Sequence, residues 1–285
     1  MPDMKIFPRT TVGGVSLPRL LVGSNWFLGY SHTTLAKDQF IKDFQTRERI
    51  AAVIGVFLEY GIDAVMGPAS EHLDNAIREA EQNSGRKISR IYTPAFDLNA
   101  GAGAAQSAEA VFDQCAAYGA TFCMPHQSVT DALIDRRAGV IRDIERYTRL
   151  IRERGMIPGL STHMPEAVIY ADQMGADIET YIQMYNSAGF LMQVEADWVM
   201  RVIQNAKKPV MTIKPFAAGR LLPVVGLAFV WSTLRDRDMV TVGTTTPAEA
   251  REVIELSLDF LHRGMTEHEL QETRSKRSLN VKKPA

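Results

Sequence analysis

Eight short apolar runs recur along the chain, and a longer amphipathic segment follows each of them. The runs lie at residues 19–24, 62–67, 88–96, 120–125, 156–162, 180–186, 209–216 and 239–244. Near-continuous apolarity is typical of strands that are buried on both faces of a parallel sheet. Eight strands alternating with eight helices predict an α/β fold, a single (β/α)8 TIM barrel, with a doubly wound sheet as the alternative.

The segments between the runs carry the start and stop signals of helices. We predict helices at residues 37–60, 70–82, 107–118, 138–154, 165–174, 191–206, 221–235 and 247–263. Ser70 and Ser107 are typical N-caps, and Gly61 and Gly175 follow the last turn as C-cap glycines do. Two short strands around Gly13-Gly14 would form an N-terminal β-hairpin that closes one end of the barrel.

Length and composition indicate one domain that binds neither nucleic acid nor membrane. The 285 residues contain no Pro/Ser-rich linker, which predicts one barrel over residues 1–285 with a peripheral or flexible basic tail at 266–285. The formal net charge of -1 gives no electrostatic argument for nucleic-acid binding. No apolar run approaches the roughly 20 residues of a membrane span, and residues 1–11 lack a signal-peptide core. We therefore expect a soluble, cytoplasmic protein that acts on a small molecule.

The oligomeric state cannot be predicted from this sequence. Residues 221–231 are apolar on nearly all sides, which predicts a helix that is deeply buried or lies at an interface. The chain has two cysteines, too few for a disulfide framework or a four-thiolate metal site.

Polar residues gather where the predicted strands end, which is where active sites of such barrels lie. Three of the six histidines, His72, His126 and His163, fall on this rim, and His32 lies at its margin. The candidate catalytic residues come from four different strands and are Glu71, Asp97, His126 and His163. Carboxylates and imidazoles together can move a proton beside a carbonyl group. The same types can bind Zn²⁺ or Mn²⁺, but no local spacing such as H-x-E-x-H is present, so no metal ligand is assigned.

Five stretches, in order, resemble segments of the aldo/keto reductase family. They are "VGGVSLPRLLVGSNWFLG", "GLSTHMPEAV", "IQMYNSAG", "TIKPFAAGRL" and "VTVGTTTPAEAREV", and they extend from about residue 10 to about residue 260. The resemblance implies a barrel that binds a nicotinamide cofactor, NAD or NADP, across its mouth. It also implies hydride transfer to a carbonyl, with a tyrosine as proton donor assisted by a lysine and an aspartate. A histidine would orient the carbonyl.

Three of those four catalytic positions differ in this chain. Met66 stands at the aspartate position and Glu71 at the tyrosine position, while Pro94 follows the strand that should end in lysine. Only His126 matches. The resemblance implies the following cofactor-binding residues: Ser161, Gln183, Lys214, Gly219, Gly243, Thr244 and Thr245. Glu249 stands where a residue would contact the adenosine phosphate, and a carboxylate there repels the 2′-phosphate of NADP, which favours NAD.

Three functional hypotheses follow. The first is an oxidoreductase for a small polar carbonyl or sugar-like substrate, with His126 or Glu71 as a non-standard proton donor. The second is a redox-neutral isomerase, epimerase, lyase or hydrolase that uses acid–base or metal-assisted chemistry at the barrel mouth. The third is a catalytically inactive barrel that binds a ligand or partner. For Lys214, a phosphate-facing position and a Schiff-base role both stay open.

Overall fold

The computed structural model describes residues 6–101 and 103–262, so the predicted tail at 266–285 lies outside the described residues. The strands are, in chain order, β1 (Arg9–Val12), β2 (Val15–Pro18), β3 (Leu20–Gly23), β4 (Ala64–Gly67), β5 (Ser89–Tyr92), β6 (Ala120–Cys123), β7 (Ile134–Asp135), β8 (Val140–Ile141), β9 (Ile157–Pro158), β10 (Leu160–Thr162), β11 (Tyr181–Met184), β12 (Val210–Ile213) and β13 (Met239–Val242).

Nine of these segments form one parallel sheet in the order β10-β11-β12-β13-β3-β4-β5-β6-β9. Its two ends, β9 and β10, are consecutive in the chain and flank Gly159, so they are two parts of one barrel strand. A Cβ atom at Gly159 would lie 2.6 Å from Met124 Cε and 2.8 Å from the Thr180 carbonyl oxygen. Only glycine therefore fits where the sheet closes. The predicted (β/α)8 barrel is confirmed.

The barrel interior is filled by side chains from the strands and from the hairpin. The buried cluster consists of Val12, Leu17, Leu21, Ala64, Met66, Ile91, Phe122, Met124, Ile182, Met211 and Met239. Val12 and Leu17 belong to the antiparallel pair β1–β2, so the hairpin closes the N-terminal end of the barrel, as predicted. The interior is thus a packed core, and space for a ligand lies at the opposite end.

The helices surround the sheet and lie close to the predicted segments. They are α1 (Asn25–Leu28), α2 (Leu35–Phe44), α3 (Arg47–Glu59), α4 (Glu71–Ser84), α5 (Ala108–Ala117), α6 (Gln127–Thr130), α7 (Ile144–Glu153), α8 (Pro165–Met174), α9 (Ala196–Asn205), α10 (Pro223–Thr233) and α11 (Pro247–His262). Ser70 and Ser107 cap α4 and α5 through their side chains, as predicted. None of the helices among the described residues has both the length and the apolarity of a membrane span.

Three predicted helices differ from the observed ones. The helix predicted from residue 191 begins only at Ala196. The helix predicted at 37–60 is divided into α2 and α3, because the Thr46 hydroxyl accepts a hydrogen bond from the Arg49 N–H and starts a new helix. The helix predicted from residue 138 begins only at Ile144. The preceding residues form the β7–β8 hairpin, in which Gly139 has a φ of 68°.

Helix α10 is buried on one face only. Leu227 and Val230 pack into the core, whereas Val224 is 43% exposed and Val225 is 47% exposed. The outer face of the first turn of this apolar helix therefore lies open in the single chain.

Candidate active site at the barrel mouth

A cavity of about 900 Å³ opens at the carboxyl ends of the barrel strands. Its wall contains residues near or just beyond the carboxyl ends of strands, among them Ser24, Thr93, His126, Ser161, Lys214 and Thr244. The volume is typical of sites for small molecules. The cavity therefore lies at the strand ends where the sequence predicts an active site.

The four candidate catalytic residues do not all meet in this cavity. His126 and His163 line it, whereas Glu71 and Asp97 lie outside its wall. Glu71 is the exposed first residue of α4, where a carboxylate complements the helix dipole. The exposed Asp97 accepts a hydrogen bond from the Asn99 N–H at 2.9 Å within its own loop. The tertiary course of the two loops separates these carboxylates from the histidines, and His72 also lies outside the wall.

His126 has a defined tautomer. It precedes α6, and the backbone N–H of Ser128 donates to its Nδ1 at 3.3 Å. Because Nδ1 accepts, a neutral His126 carries its proton on Nε2. Burial lowers the pKa of His126, and the positive charge of Lys214 lowers it further. His126 is therefore a neutral hydrogen-bond donor at pH 7.

His163 follows β10 and is held by its backbone. Its N–H donates to the carboxylate of Asp131 at 3.3 Å, and the Thr162 hydroxyl donates to the same carboxylate. Burial lowers the pKa of His163 to about 4, with further contributions from Lys214 and the other two histidines of the cavity. His163 is therefore uncharged at neutral pH.

His32 is the third histidine of the cavity, although the sequence predicts it only at the margin of the rim. Its φ is 58°, and Nδ1 donates to the Tyr30 carbonyl oxygen at 3.0 Å. A neutral His32 thus keeps Nε2 free to accept a proton. Burial, followed by the charge of Lys214, lowers its pKa. No motif or periodicity marks this loop residue, so the sequence contains no signal for its role.

Lys214 follows β12 and lies in the wall of the same cavity. Its backbone has a φ of 61°, a conformation that non-glycine residues rarely adopt. Burial lowers the pKa of Lys214 to about 8. Among the residues that the structure describes, no oxygen accepts a hydrogen bond from its ammonium group and no carboxylate pairs with it.

The long connection from β3 to α3 supplies an aromatic side of the cavity. Trp26, Phe40 and Phe44 line it, and the rings of Phe40 and Phe44 stack at 5.7 Å. The Lys37 ammonium lies 4.7 Å from the centroid of Phe40 and 5.9 Å from that of Trp26. These rings give the substrate a largely apolar wall beside the polar group of histidines and lysine.

The predicted phosphate-binding turn is occupied by the chain itself. Gly243, Thr244 and Thr245 line the cavity, but the Thr245 N–H donates to the Glu249 carboxylate at 2.6 Å. A Cβ atom at Gly243 would lie 2.6 Å from Trp26 Cδ1, so the indole covers the turn. The Thr245 N–H, one of the groups that would bind a phosphate at this helix N-terminus, is therefore used internally.

The residues implied to bind NAD(P) fit it only in part. Ser161 and Gly219 line the cavity. Gln183 is 1% exposed, lies outside the wall and has an unpartnered Oε1. Glu249 and Glu252 line the end where the adenosine phosphate would bind. The groups for the nicotinamide end are thus partly present, whereas the phosphate end does not fit an anion.

The three histidines do not form a metal site with other described residues. Within residues 6–101 and 103–262, no three His, Cys, Asp or Glu side chains are grouped as ligands of one metal ion. The arrangement is instead that of neutral imidazoles around one amine, which can donate, accept and stabilise charge.

Comparisons with known proteins identify similar structures and thereby the fold. No protein-family model and no curated protein matches the chain. An aldo-keto reductase of Pseudomonas aeruginosa has a TM-score of 0.65 at 12% identity, over 92% of this chain and 99% of that chain. An aldo/keto reductase of Brucella melitensis has a TM-score of 0.59 at 13% identity, over 92% and 99%. Aldose reductase of Giardia lamblia has a TM-score of 0.54 at 14% identity, over 92% and 90%.

These solved structures confirm the predicted resemblance in its fold. Similarity at 12% to 14% identity extends over more than nine-tenths of the chain. Chemistry on a shared barrel depends on the site, and here the positions implied for three catalytic residues differ. The chain is thus a reductase-like barrel with a different set of groups at its mouth.

Proposed function

We propose that this chain is a redox-neutral enzyme that moves a proton next to the carbonyl group of a small polar substrate, as an isomerase, epimerase or lyase does. The observation that carries the proposal is the presence of His32, His126 and Lys214 in the wall of one cavity. This set contains a hydrogen-bond donor, a proton acceptor and a cation, which are the groups that enolisation requires.

Each of these residues has a role that follows from its surroundings. The Nε2–H of His126 donates a hydrogen bond to the carbonyl oxygen of the substrate, and the charge of Lys214 stabilises the developing enolate. His32 accepts the proton from the neighbouring carbon at its free Nε2. The pKa values of both imidazoles are lowered, so both are neutral at pH 7 and each is in the protonation state that its role needs.

Proton exchange without any added cofactor tests this function. Purified protein in D₂O is mixed with glyceraldehyde, dihydroxyacetone or pyruvate, and deuterium at the carbon beside the carbonyl is followed by NMR. We expect catalysed exchange, and we expect His126→Gln and His32→Gln to slow it by about 100-fold or more. His72→Gln is the matched control, because this exposed histidine lies outside the cavity. Turnover that appears only with NADH or NADPH would contradict the proposal.

Reduction with NADH is the second candidate. It is supported by Ser161 and Gly219, two residues implied to bind the cofactor, which line the same cavity. Titration with NADH would then change the fluorescence of Trp26, and a carbonyl substrate would oxidise the bound cofactor. Absence of a fluorescence change at millimolar NADH would rule this candidate out.

A further inference from the structure

The Lys214 amine is isolated within the cavity. Lysine side chains at protein sites normally pair with a carboxylate or donate to an oxygen, because a buried charge without a partner is unfavourable. Within the described part of the chain, Lys214 has no such partner. The positive charge of Lys214 lowers the pKa values of the neighbouring His126, His163 and His32. An amine without a partner is available for a ligand.

Lys214 lies in a turn whose backbone has φ values that are unfavourable for residues other than glycine. Lys214, Ala217 and Ala218 have φ values of 61°, 49° and 56°. Each such residue costs about 1 kcal/mol or more relative to glycine. The turn is fixed by the Ala217 N–H, which donates to the Lys214 carbonyl oxygen at 3.0 Å. Glycine would fit position 214 with less strain, so the structure favours a use for the lysine side chain.

We propose that Lys214 is a covalent catalytic residue that forms an imine with an aldehyde or ketone substrate. This inference rests on the proposed function and specifies its substrate class as carbonyl compounds. In the proposed function the charge of Lys214 stabilises the enolate without a covalent bond, whereas here Lys214 forms a carbon–nitrogen bond to the substrate. An iminium ion withdraws electrons from the neighbouring carbon more strongly than a hydrogen-bonded carbonyl does, which makes removal of its proton easier.

The step balances with the groups present. The neutral Nζ of Lys214 adds to the carbonyl carbon, the C=O π bond breaks, and the oxygen takes a proton to give a carbinolamine. That proton is the one that leaves the nitrogen: His163 accepts it and passes it to the oxygen, while the Nε2–H of His126 donates a hydrogen bond to the same oxygen. The second proton of the nitrogen then passes to the hydroxyl group in the same way, the C–O bond breaks as water leaves, and the C=N bond forms. The sum is one amine and one carbonyl giving one imine and one water.

Neutral amine is available at physiological pH. With a pKa of about 8, about a tenth of Lys214 is unprotonated at pH 7, whereas for an ordinary lysine the fraction is below about 0.1%.

Reductive trapping tests the inference. Full-length protein is incubated at pH 7 with glycolaldehyde or pyruvate and sodium cyanoborohydride, which reduces an imine to a stable secondary amine. Peptide mass spectrometry then measures, at each lysine, the mass gain of the probe less one oxygen atom. We expect Lys214 to be modified at least about tenfold faster than the exposed Lys87, with a rate that rises from pH 6 to about pH 8 and then levels off. Equal rates at the two lysines would overturn the inference.

Lys214→Arg separates this inference from the proposed function. Arginine keeps the positive charge but cannot form the imine, so we expect the variant to lose proton exchange by about 100-fold or more while it stays folded. The matched control is Lys87→Arg. If Lys214→Arg retains exchange and trapping fails, the imine is disproved while the redox-neutral function stands. If trapping at Lys214 succeeds and exchange is absent, the nucleophile stands and the proposed function is wrong.

Discussion

The carboxylate of Glu249 accepts hydrogen bonds from both the backbone N–H and the hydroxyl of Thr245, at 2.6 Å and 2.7 Å. Thr245 belongs to the turn at the start of α11, and Glu249 comes four residues later in the first turns of that helix. The arrangement is close to a capping box, in which a side chain satisfies free N–H groups at a helix start. It gives the helix its own anion in the place where a phosphate would bind.

The first prediction concerns this carboxylate. Glu249→Gln removes the negative charge and keeps a hydrogen-bond acceptor, so it should weaken the repulsion of a ligand's phosphate groups. We expect the ratio of NADPH to NADH binding to rise by roughly fivefold to tenfold, as measured by the shift in thermal midpoint at equal ligand concentrations. Glu255→Gln, on the same helix but outside the cavity, is the control. An unchanged ratio would mean that Glu249 does not discriminate between the two.

The second prediction concerns stability at acidic pH. The folded-state pKa of His163 lies at about 4, below the 6.5 of an unfolded chain, so the unfolded state binds more protons between these values. The stability that depends on neutral His163 is complete above about pH 6.5 and is lost as the pH falls towards 4. His163→Gln should reduce this pH dependence by on the order of 1 to 2 kcal/mol, measured by urea unfolding at several pH values.

His72→Gln serves as its control, since His72 is exposed and should leave the curve unchanged. A wild-type protein whose unfolding free energy stays flat from pH 6.5 to pH 4 would contradict the prediction.

The third prediction concerns the charge of Lys214. Its folded-state pKa of about 8 lies below the ordinary value near 10.4. The wild-type protein therefore gains stability as the pH rises from about 8 to about 10.4, and below pH 8 it contains a charge that folding disfavours. Lys214→Met should be more stable than wild type at pH 7 by on the order of 2 kcal/mol. The difference should vanish above about pH 10.4, as followed by chemical unfolding, and Lys87→Met should show neither effect.

The fourth prediction compares two glycines. Gly159→Ala places a methyl group 2.6 Å from Met124 Cε and 2.8 Å from a backbone oxygen of Thr180, so we expect a loss of about 2 to 3 kcal/mol in the free energy of unfolding. Gly55 lies inside α3 with no atom within 4 Å of its virtual Cβ. Gly55→Ala should therefore stabilise the protein by about 0.5 to 1 kcal/mol. Similar effects at both positions would show that the sheet closure tolerates expansion at residue 159.

Most of the fold is predictable from local patterns. Parallel barrel strands are buried on both faces, so runs such as residues 239–244 stand out, and the N-caps Ser70 and Ser107 have side-chain signals of their own. The break between α2 and α3 is less visible, because apolar residues continue with helical spacing across Gln45 and Thr46. The β7–β8 hairpin has only two residues in each strand, which is too short for a periodicity to register.

The site is predictable only where strand ends determine it. Lys214 follows β12 directly and His126 lies three residues after the last residue of β6, so their positions in the wall could be predicted from the strands alone. Glu71 and Asp97 follow strands too, but several loop residues intervene and direct them away from the cavity. His32 depends on the course of the β3–α3 connection and on its own left-handed backbone, and nothing in a single sequence specifies either.

The left-handed backbone conformation of Lys214 also makes this position a marker for related barrels. A glycine there would relieve the backbone, so drift without selection for the amine should replace lysine by glycine. Relatives that retain lysine should share the chemistry of this mouth, and relatives with glycine should have lost it. The residue at this one position in a newly determined sequence would then distinguish active enzymes from barrels that have another function.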